Sequence, residues 1–187
     1  MKTAAIFIAP GFEEIEALTP ADVLIRAGAE VELISITEDK SVTGGHGLTV
    51  VCDRVFEGKP IEEKDILILP GGIPGAKHLQ EHKKLSELIK HYDSQEKWIG
   101  AICAAPMILG DMGLLADRKA TCYIGFEHHL KGAHHYPVPA ITDGHIITGR
   151  GIGAAMEFSL EIVANLYGPE KASELRKKMV VPNIIHD

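Results

Sequence analysis

The chain has 187 residues, of which 45% are hydrophobic and 24% charged, and its formal net charge is −7. This composition is that of an ordinary globular protein, long enough for one complete core and short for two, so we expect a single domain over residues 1–187. The negative charge, with no lysine or arginine stripe to offset it, argues against general binding to nucleic acid or to anionic membranes.

The N-terminal run and the cysteines bear on where the protein resides. The apolar run from Ala4 to Pro10 is too short, and its flank too acidic, for a signal peptide or a membrane-spanning helix. Cys52, Cys103 and Cys122 make an odd number at unrelated spacings, which fits a reducing compartment better than a disulfide framework. We therefore expect a cytoplasmic location.

In chain order, the first half alternates apolar strands with helical segments. Strands are expected at 3–8, 31–36 and 65–69, helices at 13–27 and 76–92, and a small hairpin around the turn 43–47 with a strand at 48–52. Pro20 lies inside the first helix, and Gly28 ends it. The second helical segment is expected as one helix or as two pieces.

The second half continues the alternation. Expected are strands at 98–102, 120–123 and 145–148, a helix that opens at Ala104, a helix that ends at Tyr167, and a last helix at 169–179. This order predicts an α/β fold with a doubly wound, mostly parallel sheet and helices on both faces. Ligands of such sheets bind at the carboxyl ends of the strands, where residues 12–16, 71–72, 103 and 149–151 are all expected.

Cys103 stands at the junction between the strand 98–102 and the following helix. A sharp strand-to-helix turn exposes its central side chain and needs small neighbours, which Ala101 and Ala105 provide. The unpaired amides and positive dipole end of the new helix should favour the thiolate. The competing interpretation is a buried small hydrophobe, the usual state of a free cysteine. The position at the turn favours a reactive cysteine.

A reactive Cys103 needs a partner, and the next residue is Ala104 rather than a histidine. The first strand-helix connection offers Glu13, Glu14 and Glu16, any of which can hydrogen-bond a thiolate when protonated in a partly apolar pocket. Alternatively, these glutamates only complement the helix dipole. The amides of the 71–72 glycines and of Ala104 are available to an oxyanion.

The sequence predicts neither a metal nor a cofactor. The histidines at 128, 129, 134 and 135 lack accompanying carboxylates, and His78 and His82 lack the glutamate of a zinc-protease helix. The glycines at 149–153 are not followed by a strand with an acidic residue, and no phosphate-binding fingerprint opens the first helix. Cys52 and Cys122 are expected to fill space in the core.

Four motifs in order resemble the ThiJ/PfpI superfamily, in its branch of parkinsonism-associated deglycase. They are GFEEIE at 11–16, LPGG at 69–72, AICAAP at 101–106 and GRGIGAAMEFSLEIV at 149–163, and the likeness extends to the polar tail 184–187. The resemblance implies a flavodoxin-like sandwich, a homodimer and an oxidation-prone nucleophilic cysteine at position 103.

The resemblance also assigns roles to single residues. It implies that Glu16, the last glutamate of its motif, hydrogen-bonds Cys103, and that Gly72 and Ala104 supply anion-binding amides. Members with peptidase-like or strong glyoxalase activity usually carry histidine where this chain has Ala104. Tyr123 stands where some members carry a histidine near the cysteine, and Gly71 and Arg150 are further candidates to line the site.

Two functional hypotheses follow from these residues. The first is an enzyme that uses Cys103 as nucleophile and Glu16 as acid and base on small reactive aldehydes, or on their glycated protein and nucleotide adducts, as a glyoxalase or deglycase. The second is a redox-sensing chaperone whose Cys103 is oxidised under stress. A cysteine peptidase is a lesser alternative.

The first helix bears on assembly. Ile15, Leu18 and Leu24 are expected to give it more apolar surface than one side of a sheet requires. The resemblance places a dimer contact at this helix and the strands around Gly44 to Cys52. We therefore expect a homodimer with a two-fold axis.

Overall fold

The computed structural model describes residues 1–56 and 62–182. The expected tail at 184–187 lies outside these residues. The strands are β1 (Thr3–Ile8), β2 (Glu30–Ser35), β3 (Ser41–Thr43), β4 (Thr49–Val51), β5 (Arg54–Val55), β6 (Ile66–Leu69), β7 (Trp98–Ile102), β8 (Lys119–Ala120), β9 (His134–His135), β10 (Ala140–Asp143) and β11 (Ile146–Gly149). The helices are α1 (Glu14–Ala27), α2 (Gly75–Glu81), α3 (Lys83–Ser94), α4 (Pro106–Asp111), α5 (Ala155–Tyr167) and α6 (Pro169–Lys178), and Glu127–His129 and Ile152–Ala154 form short 3₁₀ turns.

Seven strands form the main sheet, in the order β10-β11-β7-β6-β1-β2-β5. Every neighbouring pair is parallel except β10 and β11, which are antiparallel. Apart from the two edge strands, the order corresponds to the 2-1-3-4-5 arrangement of flavodoxin-like folds. The predicted doubly wound α/β fold is confirmed, as is the predicted hairpin, which β3 and β4 form.

The buried strands divide their side chains between two apolar layers. Ile6 and Ile68 lie in the cluster that contains core residues of α1, α5 and α6. Their neighbours Phe7 and Leu67 lie in the cluster that contains core residues of α2, α3 and α4. Because successive side chains of a strand point to opposite faces, an unbroken apolar strand needs helices on both sides.

The register of the parallel strands brings the four expected site segments together. Leu69 at the end of β6 pairs with Ala101 of β7, and Gly149 at the end of β11 pairs with Ile102. The residues that follow these strands therefore meet at one edge of the sheet. The start of α1 reaches the same place because β1 lies next to β6.

Several local predictions differ from the structure. The helix after Cys103 begins at Pro106 rather than at Ala104, because a turn occupies the intervening residues. The strand expected at 120–123 is only Lys119–Ala120. The sequence analysis did not predict the short edge strands β5 and β10. The segment at 76–92 is indeed two helices, which His82 separates.

Helix α1 covers the sheet with one side and leaves part of another exposed. Leu24 is fully buried in the core, so the expectation that it adds outer apolar surface is wrong. Ile15 and Leu18 are exposed, at 51% and 38%.

Within the part of the chain that the structure describes, no helix is long and apolar enough to cross a bilayer.

We predict that Gly110→Ala destabilises the fold. A methyl group at Gly110 in α4 would collide with the carbonyl oxygen of His129 and would stand 3.1 Å from the Cα of Leu130. Such overpacking against backbone should lower the free energy of unfolding by about 2 kcal/mol. Urea titration measures it, with Gly153→Ala as the control, because a methyl group at Gly153 meets nothing within 4 Å. Equal stability of the two variants would contradict this close packing.

Candidate active site

Cys103 occupies a strained turn that is fastened on both sides. Its φ of 65° lies in the left-handed region, which non-glycine residues rarely adopt. Its amide donates to the carbonyl of Gly149 at 2.9 Å, and its carbonyl accepts from the amide of Tyr123 at 2.8 Å. These two bonds hold the turn, which directs the side chain away from the strand, as the sequence predicted for an elbow.

Gly71 is the residue against which this turn packs. A Cβ at position 71 would lie 2.7 Å from the Cβ of Cys103, 2.6 Å from Oε2 of Glu16 and 3.0 Å from the amide nitrogen of Ala104. Real Cβ atoms do not come so close to other atoms, so only glycine fits. The absent side chain at 71 is what allows Cys103 and Glu16 to meet.

Glu16 is completely buried at the start of α1. Its Oε2 accepts the amide of Gly71 at 3.0 Å, and its carboxyl group is hydrogen-bonded to the side chain of Cys103. Its other oxygen, Oε1, is buried without a hydrogen-bond partner of its own among the described residues. Burial is the largest cause that raises the pKa of Glu16, which reaches about 7, while the bonds from Cys103 and Gly71 oppose this shift.

The pKa of the Cys103 thiol is also raised. Burial contributes most, followed by the charge of Glu16 and its hydrogen bond to the thiol. The amides of Gly72 and Ala104 donate hydrogen bonds to the sulfur and lower its pKa, without reversing the direction. The expectation that the helix dipole favours the thiolate is therefore wrong while Glu16 is ionised. The physical reason is that burial and the charge of Glu16 outweigh the amides at the turn, while α4 has only six residues and begins three residues after Cys103.

Glu16 and Cys103 titrate as a coupled pair. An ionised Glu16 repels a thiolate, so the thiol keeps its proton. Once Glu16 is protonated, the repulsion disappears and its hydroxyl can donate to the sulfur. The site can therefore hold a carboxylic acid beside a thiolate, or a carboxylate beside a thiol. Moving one proton between two adjacent groups is what acid-base catalysis requires.

A groove of about 840 Å³, which Cys103 itself does not line, lies beside the Cys103 turn. A Cβ at Gly151 would lie 4.0 Å from Sγ of Cys103 and 3.1 Å from the ring of Tyr123, so these two groove residues reach the site. Arg150 lines the groove as well, but its guanidinium donates to the carbonyl of Pro137 at 2.8 Å. Of the candidate lining residues, Gly71 and Tyr123 touch the Cys103 turn, and Arg150 forms part of the groove wall.

A polar cluster that the sequence did not predict lies beside the site. His46, in the turn between β3 and β4, places Nδ1 2.9 Å from Oε2 of Glu14 and 3.6 Å from Oε1 of Glu13. The turn was predicted, but His46 is 32 residues from Glu14 and no local spacing relates them. Only the docking of the hairpin on the start of α1 brings them together.

The other candidate groups are not at the site. His129 donates from Nδ1 to the carboxylate of Asp111 at 2.8 Å, which joins α4 to the segment after it. Cys52 and Cys122 are buried, at 2% and 1% exposure, as expected of cysteines that fill space. Burial raises the pKa of Cys52 to about 11 and that of Cys122 to about 12.

Comparison with known proteins shows the relationship of this chain. The model of the DJ-1/PfpI family matches residues 2–165. Protein DJ-1 homolog A of Arabidopsis thaliana is 37% identical over 97% of this chain, but the chain spans only about half (47%) of that protein. The glutathione-independent glyoxalase DJR-1.2 of Caenorhabditis elegans is 35% identical, over 95% of this chain and 96% of that protein. The structure of oxidized Toxoplasma gondii DJ-1 superposes with a TM-score of 0.93 at 30% identity, covering 98% of this chain and all of that one.

The likeness is therefore found both in the sequence and in the fold. The motifs that carry it in the sequence surround Cys103 in the structure, from the start of α1 to the end of β11. Because the family model and the relatives extend over most of the chain, the protein belongs to the DJ-1/PfpI family.

Proposed function

We propose that the protein is a cysteine-dependent enzyme that acts on reactive aldehydes, as a glyoxalase or as a deglycase of glycated protein or nucleotide adducts. The observation that carries the proposal is the buried Glu16 carboxyl, with a pKa of about 7, hydrogen-bonded to Cys103 at the elbow. A carboxyl group that titrates near neutrality can both give and take a proton during turnover. We place this activity in the cytoplasm.

The chemistry can be written for methylglyoxal with atoms and electrons balanced. The Cys103 thiolate adds to the aldehyde carbon, and the amides of Gly72 and Ala104 stabilise the oxygen anion of the hemithioacetal. Glu16, which is protonated while Cys103 is a thiolate, first gives its proton to this oxygen. The resulting carboxylate removes the proton from the same carbon and returns it to the neighbouring carbonyl carbon. The hydroxyl proton moves to the neighbouring oxygen, which leaves a thioester of the hydroxy acid. Water then cleaves the thioester and releases lactate and the free thiol. The substrate is oxidised at one carbon and reduced at the next, so no external oxidant is needed.

Two further observations support this choice. The relative DJR-1.2 is named a glutathione-independent glyoxalase, and it is similar to this chain along nearly its whole length. Residue 104 is alanine, so the chain lacks the adjacent histidine that a Cys-His dyad would require. A Cys-His peptidase is accordingly a weak candidate, and an aldehyde-consuming enzyme would have to rely on Glu16 in place of the histidine.

A second function, a redox-sensing chaperone, is favoured by one specific observation. Cys103 is the most exposed of the three cysteines, at 7%, and a Cβ at the groove residue Gly151 would lie 4.0 Å from its sulfur. Peroxide can therefore reach its sulfur before the other two, and hydrogen-bond donors around it would stabilise an oxidised sulfur. A sensor needs no turnover, so lactate formation separates the two functions.

We predict that turnover depends on both members of the pair. Lactate formation from methylglyoxal should vanish in Cys103→Ser, because the hydroxyl is a poor nucleophile, and should fall by about 10²-fold or more in Glu16→Gln, which cannot transfer a proton. Cys52→Ala, which changes a core cysteine away from the site, is the control and should keep wild-type turnover. Full activity in both Cys103→Ser and Glu16→Gln would rule out the proposed enzyme.

We also predict how Glu16 links stability to pH. Its pKa is about 7 in the folded protein and about 4.5 when unperturbed, so between these values the folded protein holds a proton that the unfolded chain releases. This contribution is full below pH 4.5 and is lost as the pH rises to 7. Glu16→Gln stays neutral, so it should gain about 3 kcal/mol on the wild type between pH 4.5 and 8. Urea titrations at several pH values measure this gain. A pH-independent difference would mean that Glu16 does not titrate near 7.

We propose further that the protein is a homodimer. Exposed Ile15 and Leu18 line a groove with Leu48 and Met156, which joins α1 to the β3–β4 hairpin and the start of α5. A self-complementary apolar patch of this kind is typical of two-fold dimers. Since Ile15 is next to Glu16, the partner subunit would help to hold the catalytic carboxyl in place.

We therefore expect Ile15→Asp or Leu18→Asp to give monomers whose Cys103 has lost its reactivity towards aldehydes and peroxide. The introduced charge appears twice across the two-fold axis, which makes the contact unfavourable. Light scattering and thiol titration on one sample test both parts. Ile25→Asp is the control, because Ile25 is exposed on the same helix but does not line this groove. A wild-type monomer would refute the dimer, and a fully reactive mutant monomer would refute the coupling.

A further inference from the structure

The groove beside the Cys103 turn is far larger than methylglyoxal requires. Its volume is about 840 Å³. Pockets of about 300–1,000 Å³ normally hold ligands of drug size, whereas methylglyoxal is a molecule of only a few atoms. The space beside the reactive turn therefore suits a substrate that has a second, larger part.

The walls of this groove are apolar. Four large hydrophobic side chains that the fold leaves exposed gather there, although they are distant in the sequence: Tyr123, Ile124, Ile152 and Val180. Monomeric proteins seldom expose such side chains together unless the surface binds something. A concave apolar surface next to a nucleophile is typical of a substrate pocket.

The charged residues of the groove already have partners. Among its described lining residues these are Arg150 and Glu157. The guanidinium of Arg150 donates to the carbonyl of Pro137 at 2.8 Å, and the carboxylate of Glu157 pairs with the guanidinium of Arg176. A phosphate group would need charged donors that are not occupied in this way. The groove therefore favours a neutral group over the phosphate of a nucleotide adduct.

Gly151 connects the groove to the sulfur of Cys103. The Cβ that glycine lacks at this position would lie 4.0 Å from Sγ and 3.1 Å from the ring of Tyr123. A ligand carbon near this position would contact both the sulfur and the aromatic ring. A reacting carbon itself approaches its nucleophile to about 3–3.5 Å. The position thus suits the atom bonded to the reacting carbon, and that atom leads into the groove.

We infer that the groove binds a neutral apolar group, an aryl ring foremost, attached to the carbonyl group that Cys103 attacks. The ring of Tyr123 offers a surface against which an aromatic group packs. The substrate class is then the aryl α-oxoaldehydes, of which phenylglyoxal is the simplest. That the bound group belongs to a substrate rests on the function proposed above, whereas the apolar preference of the groove does not.

The groove lies largely outside the proposed subunit contact. Of the residues that line it, only Met156 also lines the second groove, which Ile15 and Leu18 form with the β3–β4 hairpin. A dimer that formed through the second groove would leave most of the first open to a substrate.

The test compares two alkylating reagents that share one reacting group. Iodoacetamide and iodoacetanilide differ by a phenyl ring, and a thiolate displaces iodide from both. Mass spectrometry of the Cys103 peptide gives the two rates in the native protein, and each is divided by the rate at the thiol of glutathione. We expect this ratio to favour iodoacetanilide by at least about 10-fold, the effect of a small apolar group in a fitting pocket. Equal ratios, which a second subunit filling the groove would produce, would overturn the inference.

Two variants locate the preference. Gly151→Ala should abolish most of it, because the methyl group fills the position beside Sγ, and the extended backbone at φ 161° accepts any residue. Ile124→Ser should lower it by at least about 3-fold, roughly the loss of one methylene contact. Ile25→Ser is the control, since Ile25 is exposed on α1 but does not line the groove. An unchanged preference in both Gly151→Ala and Ile124→Ser would overturn the inference.

Turnover separates this inference from the proposed function. Phenylglyoxal would give mandelate by the steps written for methylglyoxal, and its kcat/KM should exceed that of methylglyoxal by at least about 10-fold. A preference for iodoacetanilide without formation of mandelate or lactate would support the groove and refute the enzyme. Lactate formation with equal alkylation ratios would support the enzyme and overturn the groove.

Discussion

The backbone of Cys103 is the constraint on which the rest of the site depends. Its left-handed φ of 65° cannot be relieved locally, because Gly149 and Tyr123 fasten the turn from two sides. The turn fits only because position 71 lacks a Cβ. Gly149 ends β11 and Gly71 follows β6, and these two strands lie on either side of β7, which leads into Cys103. A sheet register that differed by one residue would place other side chains there, so the parallel core specifies the reactive turn.

The second determinant of the site is that two ionisable groups, the Glu16 carboxyl and the Cys103 thiol, are buried next to each other. Glu16 and the Cys103 thiol both resist ionisation when buried. The charge of Glu16 makes the ionisation of the thiol still less favourable, whereas the hydrogen bond from the thiol favours the ionised form of Glu16. The amides of Gly71, Gly72 and Ala104 partly compensate, because they donate to the carboxylate and to the sulfur. Glu16 therefore titrates near neutral pH while it is hydrogen-bonded to the thiol, and the proposed proton transfer depends on this property. A helix dipole acting on an isolated cysteine would have given a thiolate and no such exchange.

The sequence predicted the fold and the centre of the site because both rest on local signals. Apolar strands followed by glycines, and a cysteine between Ala101 and Ala105, are visible in a short window. The helix start was placed too early, although Pro106 is the residue type that favours a first helical turn. The pKa direction of Cys103 and the position of His46 were not predictable in this way. The first depends on burial in the folded core, and the second on the docking of a hairpin 32 residues away.

The three glutamates at the start of α1 show how one short motif serves different environments. Glu16 points into the core, where burial raises its pKa to about 7. Glu14 points to the hairpin, and the bonds from His46 and from backbone amides lower its pKa despite partial burial. Glu13 lies between the two, and burial raises its pKa more than the charge of His46 lowers it. If the three glutamates only complemented the helix dipole, their pKa values would all shift in the same direction. Their difference arises from what each side chain contacts, so one turn of helix supplies both the proton-exchanging group and the carboxylates that face the hairpin.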